Sequence, residues 1–586
     1  MKYLILLASL CGLSLGYTRI DPLVSTKVGL IRGLRDEKGY VKFLGVPYGS
    51  IDENNVFGAA VPHPGFDEGF EAYDDSKICV QVDFSGSAVG TTDCLNLNLY
   101  VPDAASSNNR LPVMVWIHGG GFIRGSAMEH SADPHSLVRH DVIVVAINYR
   151  LGVFGFMCLD IPEVPGNTGL KDQALALKWV KENIEAFGGD ANQITVFGES
   201  AGGMSTNLHL FSSNEKLFDR VVIQSGPANS PWTIVESDDT IPIRLAKELD
   251  FNTTDIKEAL SFISELDPLI VTKTAHDLLI SNANGTNQPL TKPCIEQKFD
   301  GVENFLTEYP INVTSNKINN MPVIIGHNSL EIAFQYANID GAFFDSYDFG
   351  KQIARAFDID NNVDEVLDIV RHFYIGDEII NESVKWELTN YDSDFVFNHP
   401  TQRMARKLMD SGANVYSYVF SYSGSSDKSW SGAAHGEELS YLFDLNGEKS
   451  SQDQLLVDGM TKLWTNFAKF GDPNPTTSEL LPMKWTPITA TTYPYLDIDT
   501  ELTLKSRPFH DRMAFWDLFY KQSKISLNQI FLIDMPFPSL LRTVPFATTL
   551  IFDLSINVRD ILKPLLCLYP PHSLQCDKWT VIANGH

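Results

Sequence analysis

Two glycine-rich stretches carry residue types suited to covalent acyl chemistry. Residues 198 to 202 read Gly198-Glu199-Ser200-Ala201-Gly202, a G-x-S-x-G pattern in which a sharp strand-to-helix turn can lift a serine hydroxyl clear of a sheet. The pattern alone is weak, since it recurs at Gly12-Leu13-Ser14-Leu15-Gly16. A nucleophile held in a strained turn needs neighbours without Cβ, so that the chain ahead and the helix behind can approach closely. A helix starting at that serine also aims unpaired N–H groups and its positive dipole end at any anion formed there. The Ala201 N–H is then the natural first donor to a tetrahedral oxyanion. Further donors would come from His118-Gly119-Gly120-Gly121-Phe122, where side-chain-free backbone can turn the Gly120 and Gly121 N–H groups toward a substrate oxygen. Three glycines in a row also have a blander reading as a flexible loop; a downstream serine elbow favours the chemical one.

The neighbouring sequence separates Ser200 from Ser14. LPVMVWI (111 to 117) and DVIVVAINYR (141 to 150) read as buried strands, short, β-branched and bounded by glycine or charge. KDQALALKWVKENIEAF (171 to 187) reads as an amphipathic helix through Leu175, Leu177, Val180 and Ile184. QITVF is a third strand running straight into Gly198, and AGGMSTNLHLF after Ser200 is a helix. Ser14 lies instead in a leader with one lysine, an apolar run from Tyr3 to Leu15, and small residues before Tyr17. Residues 1 to 16 thus read as a secretory signal peptide cut after Gly16, the run being shorter than the roughly 20 residues that span a bilayer.

Export reframes the cysteines. Cys11 goes with the leader, leaving an even number in an oxidising compartment. Cys79 and Cys94 would close a short loop, Cys567 and Cys576 another, and Cys158 and Cys294 are either a third pair or two buried thiols. Sequons at Asn252, Asn284, Asn312 and Asn381 fit the same route, whereas Asn474 is followed by proline. A net charge of −28 with no Lys/Arg cluster argues against nucleic acid and anionic membrane as partners. The body of the chain has no low-complexity linker or repeat, so residues 17 to 522 read as one large catalytic domain. Residues 523 to 586 form a C-terminal extension. Its apolar stretches are too short to span a membrane, and it is a docking segment, an oligomerisation element or an unusual transcript end.

The chain resembles the type B carboxylesterase and cholinesterase-like family. The likeness runs from FLGVPYGS (43 to 50) through TDCLNLNLYVP, HGGGF, NYRLGVFGF, FGGDANQITVFGESAGG, QSG and AAHGEEL to WTNFAKFGDPNP and HDRMAFWDLFY. It implies an α/β-hydrolase fold, a large mostly parallel sheet flanked by helices, and residues acting in the chain order serine, acid, histidine. His435 in SGAAHGEEL resembles the family's catalytic base, and Glu331 in MPVIIGHNSLEIAF its acid. The family usually has glycine after that glutamate; this chain has β-branched Ile332, which constrains the backbone there. His327 precedes the acid and so falls outside the register. Ser225 in IQSG resembles a hydroxyl that steadies Glu331. Trp232 and Phe122 resemble acyl-pocket positions, although both read equally as core aromatics.

The resemblance implies acyl transfer to Ser200 from a small-molecule ester, the oxyanion held by Gly120, Gly121 and Ala201, with no metal or cofactor. A neutral His435 is required, so activity should rise with pH through one ionisation near the histidine reference of about 6.5, raised by Glu331 and lowered by desolvation. Cholinesterases carry a tryptophan for quaternary ammonium in the loop equivalent to Cys79–Cys94, here VQVDFSGSAVGTTD with none, which argues against choline esters. Juvenile hormone esterases usually have glutamine where this chain has Glu199, which weakens that reading too. A secreted insect-type esterase for apolar esters, of the detoxifying or odorant-degrading kind, remains. The rival is an esterase-like adhesion or binding protein, whose members typically lose a triad residue; here all three are present.

Overall fold

The computed structural model describes residues 22–127, 133–281, 291–337, 341–345, 347–348, 353, 363–424, 430–445 and 449–522. The leader, Asn284, the C-terminal extension and the Cys567/Cys576 pair lie outside the described residues.

An eleven-stranded sheet organises the chain. Its strands are β1 (Leu34–Arg35), β2 (Tyr40–Pro47), β3 (Asn96–Pro102), β4 (Leu111–Ile117), β5 (Ile143–Ile147), β6 (Gly189–Glu199), β7 (Arg220–Gln224), β8 (Pro322–Asn328), β9 (Asn414–Phe420), β10 (Pro494–Ile498) and β11 (Leu502–Ser506). They stand in the order β11-β10-β9-β8-β7-β6-β4-β5-β3-β2-β1. From β10 to β5 every neighbouring pair is parallel, and antiparallel strands finish both edges.

Central strands read as continuous apolar runs because both faces are covered. In β4, Val113, Val115 and Ile117 enter one core while Met114 and Trp116 enter another. In β6 and β7, Val196, Val221 and Ile223 join the first core and Phe197 and Val222 the second. Period-two alternation therefore persists, but it sorts two apolar layers and not an inside from an outside.

The predicted helix appears as α1 (Thr168–Asn183), extended by a 3-10 turn to Phe187. Leu177, Val180 and Ile184 are buried and Leu175 is half-buried. Near its start Asp172 receives Arg150 Nε at 2.7 Å and Nη2 at 2.6 Å, a buried bidentate pair. Arg150 Nη1 also donates to Gly58 O at 2.8 Å, so the charge is fully engaged, as a buried ion must be. The second predicted helix is α2 (Ala201–Phe211), and α3 (Pro268–Ser281) packs outside the sheet. Among the described cysteines two disulfides are present, Cys79–Cys94 and Cys158–Cys294. The second resolves the alternative left open by sequence; it closes a separation of 136 residues.

Connections leaving β4, β6, β7 and β8 at their carboxyl ends carry His118–Phe122, Ser200, Ser225 and Glu331 respectively. Loops at this edge are where an open parallel sheet gathers functional groups.

Candidate active site

Ser200 sits between β6 and α2 with φ of +56°, a conformation unfavourable to any residue but glycine. The turn is held from both sides. Ser200 N–H donates to Gln224 O at 3.0 Å, and Met204 N–H donates to Ser200 O at 2.8 Å. The flanking glycines are steric requirements: a Cβ on Gly202 would lie 1.9 Å from Ile117 O, and one on Gly198 would lie 2.5 Å from Gly202 backbone. Any side chain there would push α2 off β4.

The glycine loop after β4 is a tight turn. Gly120 has φ of +99°, a Cβ on it would strike Arg124 O at 2.2 Å, and its carbonyl accepts the Ile123 and Arg124 N–H groups at 3.1 Å. Among the described residues the N–H groups of Gly120, Gly121 and Ala201 meet no acceptor, leaving all three for a ligand oxygen. Gln81, from the Cys79–Cys94 loop, accepts from Gly125 N–H at 2.8 Å and donates to Gly125 O at 2.9 Å. Tyr149 donates to His118 O at 2.8 Å and stacks on the His118 ring at 4.3 Å. Burial pushes His118 down to about 4, so this histidine is a neutral prop. Phe122 is buried, with its ring against Phe156 at 4.9 Å.

Glu331 and His435 meet from the loops after β8 and β9. His435 Nδ1–H donates to Glu331 Oε2 at 2.6 Å, and His435 N–H donates to Glu331 O at 2.9 Å. Glu331 Oε1 accepts from Ser225 Oγ–H and from Asn328 N–H, each at 2.6 Å. Ile332, the family departure, causes no distortion: its φ is −89°, open to any residue, and its N–H donates to Ser393 Oγ at 3.1 Å. His327 stays apart, with Nδ1 2.9 Å from Asn328 O and its ring near Phe509.

The imidazole's other nitrogen faces a carboxylate that sequence reading did not place. His435 Nε2 lies 3.2 Å from Glu199 Oε1, and among the described residues no hydrogen bond joins it to Ser200 Oγ. A Cβ on Gly119 would sit 3.0 Å from Glu199 Oε2 and 3.1 Å from Ser200 Cβ, so serine, glutamate and imidazole form one cluster. Burial alone would lower the imidazole pKa, but Glu199, Glu331 and Glu438 outweigh it and push His435 up to about 9. Burial would raise Glu331, yet His435, Ser225 and the Asn328 N–H hold it below the usual carboxylate range.

A raised imidazole pKa sets the sign of the pH dependence. His435 must be neutral to accept a proton, so kcat/KM, which reports the free enzyme, is expected to rise through a limb displaced above 6.5. Glu199→Gln removes one of the three carboxylates and should return that limb toward lower pH. A kcat/KM profile of both proteins on a neutral ester checks this, and an unmoved limb would exclude Glu199 as a cause.

Aromatic rings wall the cluster. Phe397, on a π-turn at Asp394–Asn398, lies 4.7 Å from the His435 ring, and half-exposed Phe334 stacks at 6.1 Å. Trp232 reaches this group edge-on through Phe397 at 5.9 Å. Phe334 and Phe397 carry no local signal, being ordinary apolar residues in helical stretches.

The carboxylesterase family model matches residues 20–516. Bile salt-activated lipase of Rattus norvegicus is 31% identical over 555 residues, covering 88% of this chain and 87% of the lipase. Juvenile hormone esterase of Tribolium castaneum is 31% identical over 506 residues (78% and 85%), and esterase FE4 of Myzus persicae 30% over 501 residues (79% and 86%). This chain therefore belongs to the carboxylesterase family and is a carboxylic ester hydrolase of α/β-hydrolase fold.

Proposed function

We propose that the protein is a secreted serine carboxylesterase that cleaves apolar esters through an acyl-enzyme, with Ser200 as nucleophile, His435 as base and Glu331 as acid. The observation that carries this reading is the 2.6 Å contact of His435 Nδ1 with Glu331 Oε2 beside the serine elbow. Ser200 Oγ attacks the ester carbonyl while His435 Nε2 takes its proton. Nε2 rests against Glu199, so the imidazole must shift toward Ser200 Oγ; such contacts are often long in resting enzymes and tighten with substrate. The N–H groups of Gly120, Gly121 and Ala201 stabilise the oxyanion, and Glu331 stabilises the imidazolium. His435 then protonates the departing alcohol and activates the water that releases the acid.

Secretion is supported by the leader, by exposed sequons at Asn252, Asn312 and Asn381 and by the two disulfides. A preference for apolar esters is supported by the rings of Phe397, Phe334 and Trp232 around the serine cluster; a small, separate apolar cavity lies beside the glycine loop. Its lining takes Val80 and Val82 from the disulfide loop, Ile123 from the glycine loop, Leu151 and Val153 from the next turn, and Thr272, Ala275 and His276 from α3. The Cys79–Cys94 loop carries no tryptophan, so a choline ester should gain nothing over its uncharged isostere, in which tert-butyl replaces trimethylammonium. The acidic chain concentrates cations weakly, and salt screens that attraction, whereas cation–π binding in a dry pocket persists. Measuring kcat/KM for both esters at low and high ionic strength tests the reading. A choline preference of about tenfold or more, worth about 1.4 kcal/mol, that survives salt would overturn it.

A further inference from the structure

Asn328 ends β8 and is fully buried. Its backbone N–H donates to Glu331 Oε1 at 2.6 Å. Its side-chain Nδ2 donates to Ala434 O at 2.6 Å, next to His435, and to Glu438 Oε2 at 2.7 Å. Both protons of that amide are thereby used. Glu438 Oε1 accepts from Gln224 Nε2 at 3.1 Å, and Gln224 Oε1 accepts from Trp464 Nε1 at 3.1 Å. Gln224 O in turn receives the Ser200 N–H. One residue therefore touches the acid, the backbone that carries the base and a second buried carboxylate, whose other oxygen is tied to the serine turn.

The chemistry requires such a tie. Glu331 and His435 follow different strands, β8 and β9, and must be held at hydrogen-bond distance, and Glu438 acts on the same imidazole. A carboxylate with both oxygens engaged is a fixed neighbour; one released from Asn328 is free to turn away. We propose that Asn328 is a positioning residue of the acid–base pair, clamping the histidine loop to the acid loop and fixing Glu438 beside them. This rests on the triad assignment above and adds to it the side chain that keeps the triad in register.

The test uses the full secreted chain. Asn328→Ala should lower kcat about a hundredfold with KM nearly unchanged, since misplacement of about 1 Å costs that much while ester-binding surfaces stay intact. The groups facing His435 are Glu199, Glu331 and Glu438; the variant keeps the backbone N–H to Glu331 but frees the histidine loop and Glu438, which weakens the hold on the imidazolium, so the rising pH limb should move down. Asn328→Asp is the same size and serves where the alanine variant does not fold. It turns both donors into acceptors facing Ala434 O and the Glu438 carboxylate, so it should be comparably impaired. Adding Glu438→Gln restores one hydrogen bond with its direction reversed and should recover kcat about tenfold over the single variant. A folded variant with kcat within about threefold of wild type and an unmoved limb would overturn the proposal. So would a kcat loss that tracks Tm, with no limb shift and no recovery in the double variant. Loss of phosphonate labelling at Ser200 in the wild-type protein would instead condemn the triad reading itself, which separates the two failures.

Discussion

Ser200→Ala should abolish ester turnover and all covalent labelling by a serine-reactive phosphonate while leaving the fold intact. The substitution removes only Oγ. The turn is held by backbone, Ser200 N–H to Gln224 O and Met204 N–H to Ser200 O, and alanine pays the same steric cost as serine at φ of +56°. Loss of kcat is expected on the order of 10⁶-fold, the size seen when the nucleophile of a serine triad is deleted. The residue left would be what the three free N–H groups and substrate binding supply. Measurement is by burst kinetics and by mass spectrometry of the labelled protein, with circular dichroism as the folding control. Label remaining on the alanine variant would mean that another residue is the nucleophile. A wild-type protein that neither turns over any short acyl ester nor takes label would favour the adhesion or binding-protein alternative.

Glu331→Gln should lower kcat by about 10⁴, as neutralising the acid does in a well-studied serine triad. The physical reason is the tautomer. Glu331 Oε2 accepts the Nδ1–H of His435, which leaves Nε2 unprotonated and able to act as base. A glutamine can still offer Oε1 to Ser225 and Asn328, so its shape is tolerated, but its Nε2 donates. It would draw the His435 proton onto Nε2, facing the serine with the wrong nitrogen state. The imidazolium would also lose a carboxylate partner, so any remaining activity should show its pH limb at lower pH than wild type. Steady-state kinetics over a pH series checks both points. A drop below tenfold would mean that Glu199 or Glu438 supports the imidazole instead.

Much of the site was legible because its local rules are steric. Gly198 and Gly202 are demanded by the contact of α2 with β4, and Gly120 by its own turn; such demands act over a few residues and leave a pattern in the chain. Apolar runs marked the central strands for the same reason, since burial on both faces leaves no polar position to obscure them. Ser225 was legible only as a likeness, and its 2.6 Å contact with Glu331 gives that likeness its cause. Ile332 read as a possible disturbance and proved harmless, because backbone conformation at that position is set by packing and not by the identity of the residue alone.

What the sequence by itself determined is the strand–turn–helix setting of Ser200 and the glycine turn after β4, while the fold class and the proposed order of serine, acid and histidine came through the family resemblance. The two turns depend on residue type at short spacing, where sterics and periodicity leave few choices. Only the tertiary structure decided that Cys158 pairs with Cys294 across 136 residues, that Gln81 of the disulfide loop buttresses the glycine turn, and that Asn328 links acid, base loop and Glu438. It decided the state of the base as well. Glu199 ends β6, Glu331 follows β8 and Glu438 lies on a 3-10 turn just past His435, and nothing local in the sequence shows that the three share one neighbour. Their combined field on one imidazole exists only once the sheet has brought them to a single edge, because electrostatic influence in a buried site follows distance in space and not separation along the chain.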